Sequence, residues 1–265
     1  MSLPIDLIFV RHGESATNEL YDKVRAGELP DGDVNSLGVT HDSEILLTEK
    51  GAEEARAIGE WLKQNALSPF DRYYCSPFYR TRQTAALLGL GGQWRLDDRL
   101  REQDWAEFAI VMKDENRARL FPSSFERFSK NPWYWAPPSG ESKSGQVRTR
   151  LESWFATLAR EVPDGTVIAV THVGVMATVN FLLERMNFDD GINIYDSLPS
   201  GAILWYSRRN PTTGEISESI SWRRMICPWD ENLSWNNGEW IELKLAEKVL
   251  SDEQLLASVK NRGDD

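Results

Sequence analysis

Residues 5–13 read IDLIFVRHG, and the fold follows from this stretch. Its first six residues, mostly apolar and rich in β-formers, read as a buried strand that stops at Arg11-His12-Gly13. The strand thus ends on two chemically active side chains and a glycine. The same alternation recurs outward from it. Residues 48–64 carry Ala52, Ala55, Ile58, Gly59 and Leu62 at helical spacing, with Thr48 as the cap. Residues 71–75 form a second strand candidate. Ser76-Pro77 then reads as an N-cap followed by proline at the first helical position, opening a helix through Arg80, Gln83 and Ala86. Residues 93–96 are a weak strand, and residues 113–129 are helical. Residues 131–141 (NPWYWAPPSGE) are a loop, because three prolines and a glycine break any periodicity. A helix follows over 146–161, with Val147, Leu151, Trp154, Phe155 and Leu158 on one face. Next come a turn at Pro163-Asp164-Gly165, a strand at 166–170 and an amphipathic helix at 174–186. Residues 202–207 and 216–226 read as a closing strand pair joined through Asn210-Pro211 and Gly214. A short helix is expected near 252–260.

Strands alternating with helices predict an α/β fold with a mostly parallel sheet covered on both faces. The 265 residues show no internal repeat and no linker-like break, so a single domain over 1–265 is expected. An insertion around 109–141 would cover the ligand-binding edge. Residues 228–265 would form a Trp-rich C-terminal extension, with Trp222, Trp229, Trp235 and Trp240 covering the closing strands or forming an oligomer surface, a homodimer for instance.

The formal net charge of -11 repels nucleic acid and anionic membranes at long range, so neither is an expected partner. It repels phosphorylated compounds too, so a phosphate site here has to be a local basic pocket. The two cysteines, Cys75 and Cys227, form neither a disulfide framework nor a zinc motif and read as buried thiols of a reducing compartment. No signal-peptide pattern and no long apolar stretch is present, so a soluble cytoplasmic protein is expected.

In a parallel sheet, ligands bind beyond the carboxyl ends of the strands. His12 follows the first strand, Arg80 lies in the helical turn after the second, Glu102 comes shortly after the weak third, and His172 follows the strand at 166–170. Singly, each has a plain structural explanation; their shared edge suggests chemistry. A neutral imidazole is a competent nucleophile toward phosphorus. Arg11 and Arg80 would hold phosphate oxygens through paired hydrogen bonds and disfavour protonation of a nearby histidine. His172 can donate to another oxygen, and the amides of Val173 and Gly174 open a helix beside it. Glu102 would protonate the leaving oxygen and then help water attack the phosphohistidine. Asp104 and Glu107 are its rivals for that role.

At these residues the sequence resembles the histidine phosphatase, or phosphoglycerate-mutase-like, superfamily. The matching motifs run in order over roughly residues 5–187: Arg11-His12-Gly13-Glu14-Ser15 with Asn18; Leu47-Thr48 and Gly51; Ser76-Pro77, Arg80, Gln83, Thr84 and Ala85; Leu100 and Glu102; Gly140-Glu141-Ser142 before the Gln146 helix; and Thr171-His172 with Gly174 and Val175. The resemblance implies a three-layer α/β/α sandwich of the phosphoglycerate-mutase type. It implies that His12 is the phosphorylated nucleophile, that Arg11, Arg80 and His172 form the phosphate pocket with Asn18 contributing, and that Glu102 is the proton donor. It implies no metal and no cofactor. Two departures stand out: Ala106 follows Trp105 where many relatives have glycine, and Val173 replaces a small residue after the second histidine.

Residues 19–48 lack the aromatic-glycine-tryptophan element of the mutases, and REQDWAEF lacks their tyrosine beside the acid. A mutase must shield its phosphorylated intermediate from water, whereas a phosphatase must admit water. The expectation is therefore a phosphomonoester phosphatase acting on a small phosphorylated substrate. The alternatives are a phosphoglycerate-type sugar-phosphate mutase and a catalytically inactive phosphate-binding regulatory module. Trp133, Tyr134 and Trp135 read as packing for a long connection rather than as a substrate lip. Arg117, Arg119 and Arg127 read as an exposed charged face, and His41 as a loop residue.

Overall fold

The strand at Asp6–Arg11 (β1) sits at the centre of a seven-stranded sheet in a computed structural model that describes residues 2–31, 41–65, 69–109, 113–186, 198–230, 238–243 and 249–260. The other strands are β2 (Arg72–Cys75), β3 (Trp94–Leu96), β4 (Thr166–Thr171), β5 (Ile203–Ser207), β6 (Trp222–Ile226) and β7 (Ile241–Glu242). They lie in the order β3-β2-β4-β1-β5-β6-β7. The first four in that order are parallel, with Ile8 of β1 opposite Ile168 of β4 and Tyr73 of β2 opposite the same Ile168. From β5 onward the pairing is antiparallel.

The apolar run of β1 is continuous because both faces of the sheet are covered. Leu7 and Phe9 pack against Leu151 and Trp154 of α6 (Arg148–Glu161) and Val175 and Val179 of α7 (Val173–Leu183). Ile8 and Val10 pack on the opposite face against Ile58 and Leu62 of α2 (Glu49–Asn65) and Ala85 of α3 (Tyr79–Leu87). All four β1 side chains are buried, each contributing about 1.5–3 kcal/mol of transfer free energy. The expected mostly parallel sheet between two helical layers is the observed one. Cys75 and Cys227 are buried and not joined in a disulfide, and burial pushes both thiols up to about 12.

The local differences from expectation have physical causes. A helix absent from the sequence reading, α1 (Ala16–Arg25), buries only Leu20 and Val24; a reciprocal capping box between Ser15 and Asn18 starts it. The helix expected over 113–129 is two, α4 (Asp114–Leu120) and α5 (Pro122–Lys130), because Phe121 precedes proline and leaves the helical region at φ -132, ψ 56. Ser76 is not the cap of α3; the N-cap position is Phe78. The second closing strand begins at Trp222 rather than at 216. The hydroxyls of Ser217 and Ser221 bond to local carbonyls and to each other, drawing that backbone away from the ladder. The expected helix near 252–260 is α8 (Asp252–Lys260). Among the described residues no helix is long and apolar enough to cross a membrane.

The turn after β1 rests directly on the start of α2. A Cβ on Gly51 would lie 2.0 Å from the Glu14 carbonyl oxygen, and one on Gly13 would lie 2.2 Å from that of Gly51. Both obstacles are backbone, which cannot swing aside. Gly51→Ala is therefore expected to destabilise the protein by about 1–3 kcal/mol. A lowered urea midpoint at unchanged slope would show it; an unshifted midpoint would mean that the turn does not depend on this contact.

Candidate active site

Four adjacent parallel strands, β3-β2-β4-β1, each deliver one of the expected residues to the same edge. His12 follows β1 and His172 follows β4. Arg80 lies in the first turn of α3, beyond β2. Glu102 follows β3 after the short 3-10 turn Asp98–Leu100. A cavity of about 1080 Å³ opens here, with Arg11, His12, Asn18, Arg80 and Glu102 on its wall. His172 lies behind that wall, fully buried, its ring centroid 5.2 Å from that of His12 in an edge contact.

The tautomer of His12 follows from its partners. Nδ1 lies 2.8 Å from the Gly13 carbonyl oxygen, which can only accept, so Nδ1 carries the proton. Nε2 is then a bare lone pair, and Arg80 Nε donates to it at 3.3 Å. Burial, and then the charges of Arg80 and Arg11, hold the His12 pKa well below the usual imidazole value. Arg11 itself donates through Nη1 to the Leu198 carbonyl.

His172 is oriented by a residue that sequence reading had assigned elsewhere. Ser76 Oγ lies 2.8 Å from His172 Nε2 and also accepts from the Phe78 amide at 3.4 Å. Ser76 is thus the partner of Nε2 in either tautomer, and Nδ1 is buried without a hydrogen-bond partner among the described residues. Burial and the charge of Arg80 push the His172 pKa well down. The sequence signal for Ser76 was present, but it was absorbed into a helix-cap reading.

Glu102 is held by two amides: Oε1 accepts from Gln103 at 2.8 Å, and Oε2 accepts from Gly174 at 3.2 Å. The Gly174 amide at the opening of α7 is thus engaged by the carboxyl. A Cβ at Gly174 would lie 2.3 Å from Glu102 Oε1, so any larger residue there would displace the carboxyl. Burial raises the Glu102 pKa against the opposing pull of these amides and of Arg80. Of its rivals, Asp104 is exposed at the cavity rim and accepts the Ala106 amide at 2.8 Å; the Glu107 side chain lies outside the described residues. Ala106 adopts φ 43, so the backbone keeps a left-handed turn here despite its Cβ.

Asn18 is engaged at its Oδ1 by the Ser15 amide at 3.1 Å and the Ser15 hydroxyl at 2.8 Å, so it braces the loop while lining the cavity. Glu14 accepts from Thr48 and Lys50 and offers its own amide to Glu54 Oε2 at 2.8 Å. Glu54 is buried on the cavity wall, and burial pushes its carboxyl up to about 7. Among the described residues, no group of three or more His, Cys, Asp or Glu is placed to hold a metal ion.

The outer cavity draws on the 109–141 segment through Asp114, Arg117, Phe128, Pro132 and Trp133. Trp135 packs on Phe108, with centroids 4.6 Å apart, as expected of a packing residue, whereas Tyr134 is exposed. Trp133 does both jobs: it stacks on Phe181 at 4.0 Å and lines the cavity. Arg119 and Arg127 are exposed as expected, but Arg117 reaches the cavity beside Phe108. His41 lines the cavity too. Trp229 roofs it, while Trp240 packs on Trp205 of β5 and Trp222 begins β6; Trp235 lies outside the described residues.

Two histidines, two arginines and a carboxyl thus meet at the carboxyl edge of a doubly covered α/β sheet. The model of the histidine phosphatase superfamily (branch 1) matches residues 7–211, well over half of the chain, and the chain belongs to that superfamily. A phosphoglycerate mutase-like protein of Arabidopsis thaliana is 31% identical over 177 residues, 60% of this chain and 55% of that protein. The chain thus spans about half the length of this relative. A 2,3-bisphosphoglycerate-dependent phosphoglycerate mutase of Methylorubrum extorquens is 25% identical over 79% of this chain and 92% of its own length. Among solved structures, a mycobacterial glucosyl-3-phosphoglycerate phosphatase shares the fold at a TM-score of 0.57 and 23% identity, covering 76% of this chain and 92% of that one. A phosphoserine phosphatase of Entamoeba histolytica does so at 0.59 and 19%, covering 81% and 95%.

Glu54 yields a stability test. A carboxyl with a raised folded pKa contributes stability that is present below its unfolded value of 4.5 and is lost as pH rises toward about 7. Its Oε1 lacks a hydrogen-bond partner among the described residues and lies 3.9 Å from Lys50 Nζ. Glu54→Gln keeps the acceptor for the Glu14 amide and removes the charge. Denaturant unfolding at pH 8 is expected to show a gain on the order of 1–3 kcal/mol over the parent, shrinking toward pH 5. A gain independent of pH would rule out the buried carboxylate as its source.

Proposed function

We propose that the protein is a metal-independent phosphomonoester phosphatase that carries the phosphoryl group on His12. The observation supporting this reading most directly is the fixed tautomer of His12: the proton is tied down at Nδ1 by the Gly13 carbonyl, and the lone pair at Nε2 faces the Arg80 guanidinium. A nucleophile is useful only if it is unprotonated and aimed, and this histidine is both.

In the first step Nε2 attacks phosphorus and the bond to the ester oxygen breaks. Arg11 and Arg80 stabilise charge on the phosphoryl oxygens, and His172 Nδ1 supplies a further donor. Glu102, whose pKa burial raises, gives its proton to the departing alkoxide. In the second step the Glu102 carboxylate takes a proton from water, the oxygen attacks phosphorus and the N–P bond breaks. The products are an alcohol and inorganic phosphate. The broad cavity around His12 gives water a route to the intermediate. The partner this site suits is a small phosphorylated molecule.

A second reading, phosphoryl transfer within a sugar phosphate, draws support from relatives named as phosphoglycerate mutases. The absence of the mutase elements from residues 19–48 and from REQDWAEF weighs against it. A coupled assay separates the two: release of inorganic phosphate without isomerised product supports hydrolysis, and the reverse supports a mutase.

His12→Ala is expected to remove essentially all turnover. Rapid quench with labelled substrate should leave acid-labile, base-stable label on His12 of the parent, and label on serine or aspartate instead would overturn the assignment. Glu102→Gln should lower kcat by about 10²–10⁴-fold while leaving the affinity for orthovanadate largely intact. Undiminished turnover in that variant would transfer the acid role to a neighbour such as Asp104.

A further inference from the structure

The Arg80 guanidinium makes four hydrogen bonds, and three go to one residue outside the set described so far. Nη1 donates to the Asp42 carbonyl at 2.6 Å and to Asp42 Oδ1 at 3.2 Å, and Nη2 donates to Asp42 Oδ2 at 2.9 Å. The fourth, from Nε, goes to His12 Nε2. A guanidinium is a rigid plane with separate edges. The Asp42 carboxylate takes the end edge, between the two Nη groups, as a fork-to-fork pair. The edge bearing Nε is left facing His12, where the transferred phosphoryl group has to sit.

The turn carrying Asp42 is built to hold it there. Asp42 opens a short 3-10 turn, Asp42–Glu44, which His41 caps by accepting the Ser43 amide at Nδ1. The Leu47 amide then donates to Gln83 Oε1 at 2.8 Å, fastening this segment to α3, the helix that carries Arg80. Phe78 supports Arg80 from another side, with the guanidinium carbon 5.0 Å from its ring centroid, and packs edge-on against His172 at 5.1 Å. Arg80 is itself buried, so without a carboxylate its charge would lose its only ion pair among the described residues.

We infer that Asp42 is a positioning residue for phosphoryl transfer: it clamps the end edge of Arg80 so that the edge bearing Nε meets the phosphoryl group on His12. This rests on the phosphatase reading of the pocket. Asp42 lines the same cavity, but its carboxylate is bonded to Arg80 and not to His12, so it acts through Arg80. The contrary reading is that Asp42 competes with phosphate for Arg80, and the two predict opposite changes in affinity.

The test uses the full chain and two variants, Asp42→Ala and Asp42→Asn. Inorganic phosphate and orthovanadate binding are measured by calorimetry, and kcat and KM on a common aryl phosphate. Loss of the clamp is expected to lower kcat/KM by about 10–100-fold, as misplacement of a charge-stabilising group does, and to weaken phosphate binding in both variants. Asp42 is 48% exposed at its side chain, so a small carboxylate can reach the gap. Formate should therefore restore Asp42→Ala several-fold at concentrations that do not activate the parent, a response that a merely structural role for the turn would not give. Tighter phosphate binding in the variants, unchanged kinetics, or weakened binding with no formate response would each overturn the inference. A parent protein that binds neither phosphate nor vanadate would instead sink the phosphate pocket itself, and the parent titration alone reveals that.

Discussion

The hydrogen bond between His12 Nδ1 and the Gly13 carbonyl constrains everything else at this site. An imidazole has two nitrogens and, when neutral, one proton; fixing the proton on one nitrogen makes the other a base and a nucleophile. The Gly13 carbonyl can take that role only if the turn after β1 is held in one shape. That shape is imposed by backbone lying against backbone, with Gly13 over Gly51 and Gly51 under Glu14. Thr48 then ties both sides together, its hydroxyl donating to Glu14 Oε1 and accepting from the Gly51 amide. The glycines of the two motifs are thus explained by one contact, and the tautomer of His12 is a consequence of how tightly α2 packs on the end of β1.

Charge is managed by distance rather than by sum. The chain carries a net charge of -11, yet its cavity floor holds Arg11 and Arg80. The acidic groups nearest to them are spoken for: Glu14 faces Lys50, Glu54 accepts the Glu14 amide, Glu102 accepts two amides, and Asp42 meets Arg80 from the side away from His12. A surface rich in acid slows the approach of a phosphorylated molecule at low ionic strength. The local field at His12 is set by the arginines a few ångströms away, where screening by solvent is weakest.

The residues legible in the sequence were those whose position follows from a single strand. His12 and His172 each end an apolar run, and a parallel sheet sends such residues to one edge whatever the rest of the chain does. The residues that escaped depend on meetings across the chain. Ser76 reaches His172 over 96 positions, Gly174 reaches Glu102 over 72, and Asp42 reaches Arg80 over 38. No local pattern announces such a pair, and in the case of Ser76 a local pattern misled, since serine before proline also resembles a helix start. The fold errors share this character. The helix across 113–129 had the right periodicity, but the residue before Pro122 cannot stay helical, and the serines before β6 satisfy themselves locally instead of extending the strand.

One physical cause, exclusion of water, shifts all three buried titrating groups of the site toward their neutral forms. For His12 and His172 burial is the largest influence, and it favours the neutral ring. For Glu102 burial is again the largest influence, and it favours the protonated acid. A base that is free and an acid that is loaded at the same pH would be improbable in water, where a carboxyl loses its proton before an imidazole does. Inside the protein the gap narrows because both groups avoid charge, and each departs from its ordinary value toward the other. Arg80 then acts asymmetrically: it reinforces the neutral state of the histidines but opposes the protonated state of Glu102. That asymmetry makes Glu102 the more delicately balanced of the groups. It also gives meaning to the Asp42 carboxylate, whose charge on the far side of Arg80 offsets part of the arginine's pull on Glu102 and so helps keep the acid loaded.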